Sequence, residues 1–273
     1  MRFTELLKAI LFGIIEGVTE WLPISSTGHL IILNELVRLD ASEAFCELLL
    51  VAVQLGAILA VPCVLWKKYL PLFKSEGKED GLRLLWLLAV GVLPAATVGA
   101  LLDDILDRYL YNLTVVALTL ILYGVVFVVI SKKNSGRNSK IKSVQELTFK
   151  DAAVIGIFQM LSLIPGTSRS GSTFLGGCAV GAPVSVSADF SFLMAMPIML
   201  GAAALKGGKL LLSGYSFSFE EVMILAVSSL VSFIVSTVSI RFLIDFVKKH
   251  SLLVFGIYRI LLGIAVSIFF AYK

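Results

Sequence analysis

Apolar runs of about twenty residues recur in this chain at 44–66, 84–102, 113–131, 186–206, 219–240 and 252–271. A helix needs about 20 such residues to cross the hydrocarbon of a bilayer. The runs do not alternate polar and apolar residues, so they predict spanning helices rather than the strands of a barrel. Composition points the same way. Charged residues make up 15% of the 273, against roughly a quarter in soluble domains. The expectation is an all-α integral membrane protein with six crossings.

Two further stretches, about 5–35 and 150–183, are apolar but interrupted by proline followed by serine, threonine and glycine. Proline ends a helix and glycine permits a sharp turn, so both are expected to be re-entrant hairpins with a loop at depth. Basic residues fix the orientation. Lys67, Lys68, Lys74, Lys78 and Arg83 crowd one loop, Lys132, Lys133, Arg137, Lys140 and Lys142 another, and Lys248 and Lys249 follow a later pair of crossings. Asp103, Asp104 and Asp107 form an acidic turn between the first two. The positive-inside rule places the basic loops in the cytoplasm and the acidic turn and both termini outside. The net charge of +4 serves orientation and speaks against a nucleic-acid partner. Cys46, Cys63 and Cys178 make no metal or disulfide pattern and are expected to be small packing residues. The N-terminal segment lacks a cleavage site and is expected to be retained.

The chain also repeats itself. "GIIEGVTEWLPISSTGHL" from Gly13 resembles "GIFQMLSLIPGTSRSGST" from Gly156, with one residue of slippage before the proline. Phe45, Leu55, Gly56 and Ala57 match Phe190, Leu200, Gly201 and Ala202. Each half then holds one hairpin and three crossings: 1–142 the first repeat, 143–273 the second, in one integrated membrane domain. Three is odd, so the halves enter from opposite sides. Two inverted-topology repeats of this kind bring their broken segments together near the midplane.

Glu16 and Glu20 are four residues apart and share one helix face. A charge at the bilayer centre costs about 2.5–3.5 kcal/mol on insertion scales, so something wet or positive must face them. Such a pair can hold a divalent cation through oxygen ligands, or act as a base with an electrostatic partner. Ser25, Ser26, Thr27, Gly28 and His29 follow at once; hydroxyls before a helix are often N-caps, while His29 can exchange a proton near neutral pH. The second hairpin carries Ser168, Arg169, Ser170, Gly171 and Thr173. N–H groups at a helix start favour an anion, and arginine grips phosphate with a planar fork. Apposed at depth, the two tips would bind a phosphorylated group together with a cation. Glu47, Gln54, Asp189, Tyr258 and Arg259 are polar groups in or near spans that either line the pocket or satisfy one another between helices.

These motifs resemble the bacterial undecaprenyl-diphosphate phosphatase family, also known for bacitracin resistance. The resemblance covers essentially the whole chain, through "EGVTEWLPISSTGHL", "PGTSRSG", "QLGAILAV" and "FGIYRILLG", with no departure at the core of the first two. It implies removal of the terminal phosphate of undecaprenyl diphosphate, a polyprenyl lipid of the bacterial inner membrane. That reaction recycles the carrier for cell-wall synthesis. The resemblance also implies an active site opening to the outer face and a divalent cation, Mg²⁺ or Ca²⁺. By motif, Glu16, Glu20, Ser26, His29 and Arg169 match the main functional positions; Ser25, Thr27, Ser168, Ser170 and Thr173 match supporting ones. Glu16 and Glu20 would hold the cation, and Arg169 with the second loop would stabilise the transferring phosphoryl group. The nucleophile is either Ser26, activated by His29 or Glu20, or a water. Besides substrate and membrane lipids, a homo-oligomer is an open partner.

Three rival readings have their own signatures. Inverted repeats with broken helices also build transporters and lipid flippases, which would not need Ser26 and His29 beside paired glutamates. A histidine-nucleophile lipid phosphatase would need a second histidine near the first, and the only other one is His250. A structural scaffold leaves the cost of the buried ionisable groups unexplained.

Overall fold

A computed structural model describes residues 3–74, 77–133, 139 and 141–271. Arg137 and Lys140, counted above among the basic loop residues, lie outside the described residues, as do the side chains of Lys132, Lys133 and Lys248.

The described residues form ten α-helices and no strand. α1 (Phe3–Thr19) and α2 (Ser26–Val37) are short and separated by a break, followed by the long α3 (Glu43–Tyr69), α4 (Lys78–Leu110) and α5 (Leu113–Lys133). The order then recurs: short α6 (Phe149–Met160) and α7 (Arg169–Ala179), then α8 (Val184–Leu212), α9 (Phe219–Lys249) and α10 (Leu253–Ala271). Five of the described helices are long and apolar enough to cross a membrane. The sixth expected crossing is α10, whose apolar stretch Leu253–Phe269 is shorter than the others. Starts are set by side chains that take up free backbone N–H groups. Ser42 caps α3, and Thr148 with Asp151 and Ser218 with Glu221 form capping boxes on α6 and α9. Pro62, Pro94 and Pro197 stand inside α3, α4 and α8.

Lipid is as apolar as leucine, so helices in it associate through close packing of small residues. α1 packs on α9, and a Cβ added at Gly17 would come 2.9 Å from the Ser232 carbonyl oxygen. α6 packs on α4, with Gly156 against the backbone of Gly91. α5 packs on α10, where a Cβ at Gly256 would lie 2.9 Å from the carbonyl oxygen of Gly124. α3 joins α8 and α9. Each short first helix thus lies on a long helix of the other half. The core holds Phe12, Trp21, Phe45, Phe127, Phe174, Phe190 and Phe192, while Leu93, Leu101, Leu118, Leu230 and Leu261 point outward.

Two expectations need correction. Asp103, Asp104 and Asp107 do not form a turn, because α4 continues through them to Leu110. Their charges face Lys206 and Lys209 of α8 instead of breaking the helix. All three cysteines are free, and Cys178 is buried, but Cys63 is exposed on α3. A thiol is apolar enough to face outward on a spanning helix.

Candidate active site

The two breaks are built alike. After α1 the chain turns through Glu20–Ile24 to Ser25, whose φ is 75° and whose Oγ accepts the N–H of Gly28 at 3.2 Å. After α6 it turns through Pro165 and Gly166 to Ser168, whose φ is 77° and whose Oγ accepts the N–H of Gly171 at 3.1 Å. A non-glycine residue with positive φ costs on the order of 1–3 kcal/mol; the capping bonds partly offset that cost. Gly166 has φ +87°, and a Cβ there would run into the Thr119 hydroxyl.

The tips meet. Arg169, at the start of α7, donates from Nη2 to Glu20 Oε1 at 2.9 Å and from Nε to the same oxygen at 3.3 Å. Its Nη1 donates to the Ser191 carbonyl at 2.8 Å, so α8 holds the other edge of the guanidinium. The face of the guanidinium lies 5.8 Å from the Trp21 ring, which is fully buried against Phe192. The second carboxylate oxygen of Glu20 accepts the hydroxyl of Ser26. Ser170 Oγ donates across the tips to the carbonyl of Leu22 at 3.2 Å, and Thr173 Oγ1 donates to Ser191 Oγ at 2.7 Å. The ion pair is nearly dry, with 10% of Arg169 and 6% of Glu20 exposed. An ion pair this dry is tolerated only when further hydrogen bonds complete it.

A cavity of about 440 Å³ opens against this pair. Glu20, Ser25, Ser26, Thr27, Ser168 and Arg169 line its polar end. α4 and α8 supply an apolar wall that includes Ala95, Gly99, Gly201 and Ala202, and Asp103, Asp107 and Lys206 stand at the other end. Glu16, His29, Ser170, Gly171 and Thr173 do not line it. Ser170, Gly171 and Thr173 serve instead in the tip contacts and the cap. His29 lies to one side: Nδ1 is 2.6 Å from the Ser25 carbonyl and Nε2 is 2.7 Å from the Tyr258 hydroxyl. Neither ring nitrogen is bonded to Ser26.

Glu16 is fully buried one turn before Glu20, whose backbone N–H donates to the Glu16 carbonyl at 2.9 Å. Among the described residues, neither carboxylate oxygen of Glu16 has a hydrogen-bond partner. The two bare oxygens of Glu16 are ligands of the kind that Mg²⁺ or Ca²⁺ takes, whereas both oxygens of Glu20 are bonded to Arg169 and Ser26 and would have to exchange a partner for a cation. No group of three His, Cys, Asp or Glu side chains among the described residues could hold a metal. A cation here would therefore draw further ligands from substrate or water.

Sequence reasoning missed Ser191 and Trp21 and left Arg259 undecided. Arg259 of α10 is fully buried and donates to the Pro23 carbonyl at 3.1 Å and the Gly166 carbonyl at 2.7 Å, one on each tip. Of the other polar groups noted in the spans, Gln54 lines the cavity, Asp189 pairs with Lys68 and Tyr69, and Tyr258 meets His29. Glu47 lines a second, smaller cavity with Lys206 and Lys209.

Fold and site together define a multi-pass helical membrane protein with a mostly apolar cavity whose lining includes a forked cation, a carboxylate and hydroxyls. Residues 9–265 match the family described as Bacitracin resistance protein BacA, and the chain belongs to that family. It is 44% identical to the undecaprenyl-diphosphatase of Desulfitobacterium hafniense, over 99% of this chain and 98% of that protein. It is 46% identical to the undecaprenyl-diphosphatase of Enterococcus faecalis, over 97% of both. It is 45% identical to undecaprenyl-diphosphatase 1 of Clostridioides difficile, over 97% of this chain and 96% of that protein.

Proposed function

We propose that this protein hydrolyses undecaprenyl diphosphate to undecaprenyl phosphate and inorganic phosphate. One observation carries the reading: Glu20 joins Arg169 on one side and Ser26 on the other, at the wall of a cavity reached from both halves of the chain. A phosphoryl group entering there meets a guanidinium fork that can leave Glu20 for phosphate oxygens. The Ser26 hydroxyl is bonded to the carboxylate that would take its proton. Ser26 Oγ then attacks the terminal phosphorus, the bond to the departing undecaprenyl phosphate breaks, and water releases phosphate from the phosphoserine. Arg169 stabilises the charge on the transferring group. Glu16 and Glu20 would hold a divalent cation, which when bound offsets diphosphate charge. His29, bonded to Ser25 and Tyr258, orients the first tip.

The same reading covers the architecture: two inverted repeats, 1–142 and 143–273, each a re-entrant hairpin plus three crossings in the bacterial cytoplasmic membrane. The exchange of partners supports it, since α1 lies on α9 as α6 lies on α4. Gly13, Glu16, Ser25 and Gly28 correspond to Gly156, Gln159, Ser168 and Gly171 at one constant spacing. The slippage at the prolines is therefore not needed. The acidic segment of α4 at one end of the cavity, with Lys68 and Arg83 elsewhere on the chain, supports an opening on the outer face.

The test is phosphate release from undecaprenyl diphosphate by the purified protein in detergent. Release should stop with a chelator, return with Mg²⁺ or Ca²⁺, and fall by at least about a hundredfold in Arg169→Ala. No release from the parent protein would end the proposal. A phosphoserine trapped at Ser26 supports the covalent route, and full turnover in Ser26→Ala would replace it with attack by water.

A further inference from the structure

We propose that Arg259 is a positioning residue, which sets the separation of the two tips at which Arg169 meets Glu20 and Glu20 meets Ser26. The proposal deepens the phosphatase reading and rests on it. Arg259 projects from α10 and is fully buried. Its two terminal nitrogens are divided between the tips: Nη1 donates to the Pro23 carbonyl at 3.1 Å and Nη2 to the Gly166 carbonyl at 2.7 Å. Pro23 and Gly166 stand at matching places, each two residues before a capping serine with positive φ. A guanidinium is planar and rigid, so two acceptors on its two ends are held at a fixed distance. No other described side chain donates to both tips at once.

The chemistry is costly for a residue that only fills space. The charge forms no ion pair among the described residues and faces the rings of Tyr123 and Phe127, each 5.7 Å away. Removing such a charge from water is expensive unless its hydrogen bonds are needed, and leucine or methionine would fill the volume without that cost. The adjoining Tyr258 bonds His29 of the first tip, so α10 grips that tip through two successive residues. From α5, Thr119 Oγ1 donates to the Pro165 carbonyl of the second tip at 2.7 Å. The α5–α10 pair is the floor on which both tips rest, and Arg259 is the one group of that floor bonded to both.

Arg259→Gln and Arg259→Lys test this in Trp66→Phe, Trp86→Phe protein. Both of those tryptophans are exposed, and replacing them leaves Trp21 the sole tryptophan, which excited apart from the tyrosines reports the tips directly. Active sites are counted by titration with a polyprenyl methylenebisphosphonate, which cannot be hydrolysed. In folded Arg259→Gln protein the Trp21 emission should shift. Turnover per titrated site should fall by between about tenfold and a hundredfold, the scale of a misplacement near 1 Å, with KM little changed. Arg259→Lys keeps the charge without the fork and should recover only part of the loss. If Arg259→Gln does not fold, Arg259→Lys alone is read by the same criteria. Unchanged Trp21 emission and unchanged turnover per site in the folded variant overturn the proposal, as does a loss of activity matched by loss of sites. Emission that shifts in protein whose parent releases no phosphate would uphold the positioning role and sink the phosphatase reading, which keeps the two failures apart.

Discussion

Glu20 divides its two oxygens between unlike partners, the guanidinium of Arg169 and the hydroxyl of Ser26. Replacing it with glutamine keeps an acceptor oxygen but leaves the buried Arg169 without its counter-charge, and an uncompensated buried charge is destabilising. Glu20→Gln is therefore expected to lower both the thermal midpoint in detergent and phosphate release, the latter by at least about a hundredfold; equal turnover would show that the carboxylate is not the base. Ser168 carries a strained φ of 77° and a capping bond. Ser168→Ala loses the bond and keeps the strain, costing about 1–2 kcal/mol, whereas glycine accepts the conformation and costs less. Thermal midpoints in the order serine, glycine, alanine are expected, and alanine above glycine would contradict the strain argument. Much of this chemistry was legible in the motifs, because buried charges of opposite sign demand one another. Arg259 was not, because its acceptors are backbone carbonyls, which leave no signature in a sequence. Ser191 was hidden for a related reason: one more serine on a small-residue helix is unremarked until a guanidinium is seen against it. His29 read as a neighbour of the carboxylates, but its ring turns to Ser25 and Tyr258, a choice of rotamer that spacing does not encode.

Among the helices, length and hydropathy located each long element, but α4, α8 and α9 run on past the apolar stretches expected for them, to Leu110, Leu212 and Lys249. α3 runs Glu43–Tyr69 where 44–66 was expected, and α5 runs Leu113–Lys133 where 113–131 was expected. The acidic segment was misread because three aspartates suggest a turn, and the lysines of α8 that let α4 continue lie about a hundred residues further on. The glycines show which contacts between helices are tight. Gly156 meets the backbone of Gly91, while an added Cβ at Gly201 meets nothing within 4 Å. Gly156→Ala should lower the thermal midpoint by an amount equivalent to about 1–3 kcal/mol, the usual cost of overpacking. Gly201→Ala, with room for its Cβ inside α8, should hold the midpoint or raise it slightly. A reversed result would mean that α6 and α4 are not in close contact.

At the scale of the molecule, the proposed orientation can be tested with cysteines placed in a background cleared of Cys46, Cys63 and Cys178. Asp104 is 91% exposed at the acidic end of α4, and Ser251 is exposed between α9 and α10. Asp104→Cys should react with a membrane-impermeant thiol reagent applied to intact cells, and Ser251→Cys only after the membrane is opened. The reverse pattern would turn the cavity toward the cytoplasm. The exchange of helices between halves also bears on biosynthesis. Translation delivers α1 long before α9, the helix on which it sits. The first acidic tip must therefore wait for Arg169, 149 residues further on, and longer still for α9. Assembly is completed late, and a nascent chain arrested before α9 would hold every residue of both motifs and still have no finished enzyme.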